Sequence, residues 1–162
     1  MKKILAMLLA LVMVLSLAAC ASTQPAAEPA ASSDAPAESG KTYTVGVCQL
    51  VQHEALDAAT QGFVDALKEA LGDAVTVDVQ NASGDSVNCG TIVNGFVSKG
   101  VDLIMANATP ALTAAVSATA DIPILGTSIT AYGVALDIDD FSGTVGGNVS
   151  GTSDLADLPK QA

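Results

Sequence analysis

The sequence predicts an α/β fold, a parallel sheet sandwiched between helices, and three observations carry that prediction. Short β-rich runs alternate with helical stretches from Tyr43 onward. The first run, "TVGVCQL" (Thr44–Leu50), is compact and apolar, as a strand buried on both faces requires. The connections are short, and strand–helix–strand repetition with short connections calls for a parallel sheet with helices on its faces.

Each element follows from its local pattern. "EALDAATQGFVDALKEALG" spaces Leu56, Ala59, Phe63, Leu67 and Ala70 as one face of an amphipathic helix, and Gly72 is suited to stop it. "AVTVDVQN" alternates Val75, Val77 and Val79 and reads as the second strand. "SGDSVNCGTIVNGFVSKG" gathers Ile92, Val93, Phe96 and Val97 on one helical face, with Gly100 as terminator. "VDLIMAN" is the third strand. "TPALTAAVSATA" offers Thr109 as N-cap and Pro110 as first helical residue. "IPILGTS" is the fourth strand and "YGVALDI" the expected fifth. The whole is a flavodoxin-like sandwich with expected strand order 2-1-3-4-5.

The flanks have other work. "MKKILAMLLALVMVLSLAAC" opens with Lys2 and Lys3, runs apolar from Ile4 to Leu15 and ends in small residues, which is a secretion signal (residues 1–19). "LAAC" resembles the bacterial lipobox, so Cys20 is the expected acylation site. Acyl chains there would hold the protein on the outer face of the cell membrane, each buried methylene contributing ~0.8 kcal/mol. Residues 20–42 are rich in Ala, Pro and Ser, lack large apolar side chains and read as a tether. The folded part is then residues 43–154.

Charge and cysteine usage exclude several functions. The chain carries 17 carboxylates against 6 basic residues, two of them in the signal, so no basic face exists to neutralise nucleic acid. Cys48 and Cys89 show no metal-ligand spacing and His53 is the single histidine, so no metal site is expected. Export permits a Cys48–Cys89 disulfide, with buried free thiols as the default. No phosphate-cradling or nucleophile-elbow motif occurs, and no cofactor is implied.

In such sheets ligands bind beyond the carboxyl ends of the strands. Those ends carry Gln49, Gln52 and His53; Asn81, Ser83 and Asp85; Asn107 and Thr109; and Thr127, Ser128 and Thr130. The helix that starts in "NATPA" points unpaired N–H groups and the positive end of its dipole at this edge, which suits a carboxylate. Ser128 and Thr130 could donate to the same anion; solvated loop hydroxyls are the plain alternative.

Together "GVCQLVQHEALDAATQGFVDAL", "NASGD", "VDLIMANATPAL", "IPILGTSIT" and "GGNVSGTSD" resemble the solute-binding lipoproteins of ABC importers of the tryptophan/aromatic amino-acid type. The resemblance implies the first lobe of a two-lobe periplasmic-binding-protein-like fold, with the solute enclosed between lobes. It implies that "GGNVSGTSD" leads out of the first lobe and that residues 155–162 begin a second lobe, missing from this chain. The implied solute contacts are Gln49, His53, Thr109, Ser128, Thr130 and Asp154, the last pairing with an ammonium. Implied partners are a small zwitterionic solute, an ABC permease and the membrane, with no catalytic activity. The pattern departs at Ala131, where the family usually carries an acidic residue, which implies a different solute or relaxed constraint.

Three other readings stay open on sequence grounds: a ligand-sensing module for a signalling partner, an exported enzyme using Cys48 and His53, and a non-functional truncation.

Overall fold

In the computed structural model, residues 40–154 are described. The signal, most of the tether with Cys20, and the segment 155–162 lie outside the described residues. Strand β1 (Tyr43–Gln49) leads to helix α1 (Glu54–Leu71), a short 3-10 turn (Gly72–Ala74) and strand β2 (Val75–Asn81). Helix α2 (Ser86–Lys99), strand β3 (Leu103–Asn107), helix α3 (Thr109–Ala118) and strand β4 (Ile124–Ile129) follow. A helical turn, α4 (Tyr132–Ala135), and strand β5 (Val149–Ser153) complete the order. All four strand pairings are parallel, and the sheet order is β2-β1-β3-β4-β5, as the alternation requires.

The helix signals work through backbone chemistry. Gly72 and Gly100 take φ of 54° and 65°, a region that costs glycine nothing, and each N–H turns back to a helix carbonyl. At the N-termini the His53 Nδ1 accepts from the Ala55 N–H at 3.2 Å, and the Asp85 Oδ1 accepts from the Val87 N–H at 2.8 Å.

Two sequence expectations are corrected. "YGVALDI" is not the fifth strand. Tyr132–Ala135 winds into a helical turn that buries the Tyr132 ring, whose hydroxyl donates to the Gly126 carbonyl at 3.0 Å, while Val134 stays exposed. The fifth strand is Val149–Ser153, inside the segment read as the passage out of the lobe. Its burial is slight, so backbone bonding to β4 defines it rather than an apolar pattern. The second correction is at α3. Thr109 is the first helical residue and makes no side-chain cap, because Ala108, at φ 88°, turns the chain one residue earlier.

The main core lies between the sheet and α2/α3, where Cys48, Ile104, Ala106 and Ile124 meet Cys89, Val93, Phe96, Leu112 and Ala115. Gly46 lets α2 approach: a Cβ there would lie 2.6 Å from the Phe96 ring. Cys48 and Cys89 are both buried and free. Burial pushes the Cys48 thiol up to about 12, and the neighbouring Cys89 adds to the rise. Among the described residues no helix is long and apolar enough to cross a membrane.

Candidate functional site

Because the strands are parallel and in register, their carboxyl ends finish on one edge. Gln49 stands opposite Asn81 on one side and Asn107 on the other, and Asn107 opposite Thr127. Ile129 stands opposite Ser153. Backbone bonds carry this alignment into the loops: Leu50 N–H to Asn107 O at 3.1 Å, Ala108 N–H to Thr127 O at 3.0 Å, and Asp154 N–H to Ile129 O at 3.1 Å. From β1 to β5 this edge crosses three inter-strand spacings, about 14 Å, the scale of one small solute.

The residues singled out from sequence fall into different roles along it. His53 is exposed in the loop after β1, where its Nδ1 accepts from the Ala55 N–H. Thr109 is half-buried at the first turn of α3, and its carbonyl accepts from the Thr113 hydroxyl at 3.0 Å. Ser128 is half-buried at φ 57°, within the register shift between Gly126 and Ile129, so β4 bends where its polar residues begin. Thr130 and Asp154 are exposed and brought close through the β4–β5 ladder: the Ser153 hydroxyl donates to Thr130 O at 3.1 Å, and Asp154 bonds Ile129.

Gln49 does not face this edge. It is buried at 4 % exposure, and its whole amide is used internally. Its Nε2 donates to Val51 O at 2.9 Å and Asp57 Oδ1 at 2.6 Å, while its Oε1 accepts from the Thr60 hydroxyl at 2.6 Å. Sequence reasoning missed Thr60. The available signal was a polar residue at core spacing on α1, between Ala59 and Val64.

A wide depression of about 690 Å³ opens toward β2, lined by Gln52, Gln61, Asn81 and Ser83 among others. Of the solute contacts expected from sequence it includes Gln49 alone, and it lies on the β2 side of β1, away from Ser128, Thr130 and Asp154. That hollow is an open surface between α1 and β2.

Cys48 and His53 do not form a nucleophile and base. The thiol is sealed in the core against Cys89 and stays protonated, while His53 caps α1 in solvent.

A parallel α/β sheet with an open, polar edge at its strand ends belongs to the architecture that binds ligands at that edge. A family model described as ABC transporter substrate binding protein matches residues 44–162, and the chain belongs to that family. It is 38 % identical over 166 residues to a tyrosine-binding protein of Clostridioides difficile (strain R20291), covering 98 % of this chain and 46 % of that relative. The chain thus spans about half the length of the curated relative it matches. Among solved structures, it resembles a ligand-free, open substrate-binding protein with adhesive properties from Clostridium difficile, at TM-score 0.66 and 40 % identity over 74 % of this chain and 41 % of that one. It also resembles an ABC domain from Streptococcus pneumonia in complex with L-Trp, at TM-score 0.65 and 35 % identity over 71 % and 39 %. A conserved domain protein from Vibrio cholerae aligns at TM-score 0.67 and 36 % identity over 75 % and 42 %.

Proposed function

We propose that this chain is the first lobe of a lipid-anchored receptor for an ABC importer, and that its solute is a small zwitterion, an amino acid of the aromatic type. The observation that carries the reading is the convergence of the loops after β1, β3 and β4, together with Asp154 at the end of β5, on one polar edge. A relative that is named tyrosine-binding and a structural neighbour that holds L-Trp support the solute class.

The chemistry assigns the two charges of such a solute. Its carboxylate sits at the start of α3, where backbone N–H groups and the dipole favour an anion, with the Thr109, Ser128 and Thr130 hydroxyls as donors. Its ammonium pairs with Asp154, and His53 offers a further donor from the β1 side. Gln49 acts from behind, through the loop it holds. Affinity in this design comes from enclosing the solute and expelling water, which one lobe achieves only on one side.

Isothermal titration with tyrosine, tryptophan and phenylalanine tests the reading, on this domain and on a version extended with the reading frame beyond Ala162. Binding by the extended version is expected, with weaker or no heat from the lobe alone. Silence of both across the panel overturns it. The anchor, and with it a place on the outer face of the cell membrane beside a permease, is a separate proposal resting on "LAAC". Incorporation of labelled palmitate by the wild type, abolished in Cys20→Ala, supports it; equal labelling of both removes Cys20 as the site.

A further inference from the structure

We infer that Thr60 is a positioning residue, which locks the loops after β1 and β3 in one mutual arrangement through a buried chain of hydrogen bonds. Thr60 lies on the sheet-facing side of α1 at 8 % exposure. Its hydroxyl donates to Gln49 Oε1 at 2.6 Å and accepts from Asn107 Nδ2 at 2.9 Å. One side chain on α1 therefore joins the last residue of β1 to the last residue of β3.

The direction of every bond in the chain is forced. Asn107 Nδ2 also donates to the Leu56 carbonyl at 2.8 Å, and a carbonyl can only accept, so the amide nitrogen must face α1. Thr60 then has to accept from Asn107, which leaves its single proton for Gln49 Oε1. That fixes Gln49 Nε2 on its own two acceptors, Val51 O and Asp57 Oδ1. A hydroxyl at position 60 meets both demands through one atom. Valine has the shape and neither capacity; serine keeps both.

The ends of the chain lie where a solute is met. Val51 O belongs to the loop that carries His53. Asn107 immediately precedes Ala108, whose φ of 88° is unusual for alanine and whose carbonyl takes the Ala111 and Leu112 N–H groups at 3.1 Å each, opening α3. Asn107 Oδ1, fully buried, has no partner among the described residues. A corner selected for stability alone would place aliphatic side chains here and leave no acceptor stranded. The network keeps that cost and in exchange holds two loops at a fixed angle.

The consequence for solute affinity rests on the proposed function; the mechanical part does not. The test is peptide-resolved amide exchange on Thr60→Val and Thr60→Ser, with titration of tyrosine and tryptophan in parallel on the extended protein. In Thr60→Val, exchange is expected to quicken roughly tenfold at Ala55, Asp57, Ala108 and Leu112, with α2 and β4 unchanged and solute affinity down by a similar factor. Thr60→Ser restores both. Unchanged exchange at these amides, uniform quickening across the domain, or failure of serine to rescue overturns the inference. If Thr60→Val does not fold, Gln49→Met decides: it should loosen Ala55 and Asp57 and spare Ala108, and any other distribution refutes the chain of bonds. If wild type binds neither amino acid, the functional reading falls while the exchange result still stands or fails by itself.

Discussion

The two faces of the sheet use the same strands in opposite ways. Toward α2 and α3, Cys48, Ile104, Ala106 and Ile124 pack on Cys89, Val93, Phe96, Leu112 and Ala115, every one of them sealed from solvent and most of them aliphatic or aromatic. Toward α1, the alternate residues Val45, Val47 and Met105 are equally dry at mid-strand. One step further along, Gln49 and Asn107 replace aliphatic side chains by amides, and α1 answers with Thr60. The change falls at the carboxyl ends of the strands, on one face only. Stability is thus concentrated on the α2/α3 side, where burial is cheap and complete, and orientation on the α1 side, where a stranded acceptor on Asn107 is tolerated.

The sharpest way to break this comparison is to open the dry face. Phe96→Ala removes the ring that Gly46 was shaped to admit and should cost about 3–5 kcal/mol. Gly46→Ala should be destabilising for the opposite reason, because its new Cβ meets that ring at 2.6 Å. Urea midpoints of both variants and of the double variant form a cycle. The double variant should lose clearly less than the two losses combined, since the methyl then enters the space the ring left. Additive losses would mean that the close approach does not limit this face.

On the other face the expected loss is smaller and its pattern different. Thr60→Val should cost about 1–3 kcal/mol, because Gln49 Oε1 loses its donor and Asn107 Nδ2 one acceptor. Adding Asn107→Leu should recover part of that loss, since exchanging polar partners together for apolar ones avoids stranded groups. A double variant less stable than Thr60→Val alone would show that the corner contributes stability in its own right, and the contrast between faces would fail.

The contrast also separates what the sequence made legible from what it hid. Short β-rich runs, alternating in β2, announced β1 to β4, and Gly72 and Gly100 marked where helices stop, because these signals act within a few residues. Strand β5 was hidden: "VSGTS" has no apolar run and is held by backbone bonding along β4, while "YGVALDI" imitates a strand and turns to bury Tyr132. At the site, position at the carboxyl end of β1 gave Gln49 as a candidate, but which way its amide turns depends on Thr60 and Asp57, residues on another element. Thr109 was displaced by one position for a local reason, the unusual φ of Ala108, that no residue type at 108 announces.

Alkaline pH probes the dry face by a third route. Folded Cys48 keeps its proton up to about 12, whereas an unfolded cysteine ionises near about 8.5. Between those values the unfolded chain has released a proton that the folded chain retains, so stability is fully present below about pH 8.5 and falls as pH rises toward 12. Burial raises Cys89 and Tyr132 as well, which adds to the fall with the same sign. Chemical denaturation at several pH values should show this limb, and Cys48→Ala should flatten it relative to its own value at pH 7. An equally steep limb in that variant would assign the effect elsewhere.

The smallest expected effect lies outside both faces. Lys99, at the end of α2, reaches Asp78 on β2 at 2.6 Å, with side chains 56 % and 32 % exposed. The Lys99 hydrogen bond holds the Asp78 carboxyl below its ordinary value, so the stabilisation exists while the carboxylate is ionised and is lost as pH falls through that lowered value. Solvent screening keeps such a pair at about 0–1 kcal/mol. Lys99→Met should therefore shift the urea midpoint slightly at neutral pH and low salt, and neither below the carboxylate range nor in molar salt. A shift as large as that of Thr60→Val, or one indifferent to salt, would mean that Lys99 acts through its stem, packed 5.9 Å from the Phe96 ring centre at its ammonium, and belongs with the dry face after all.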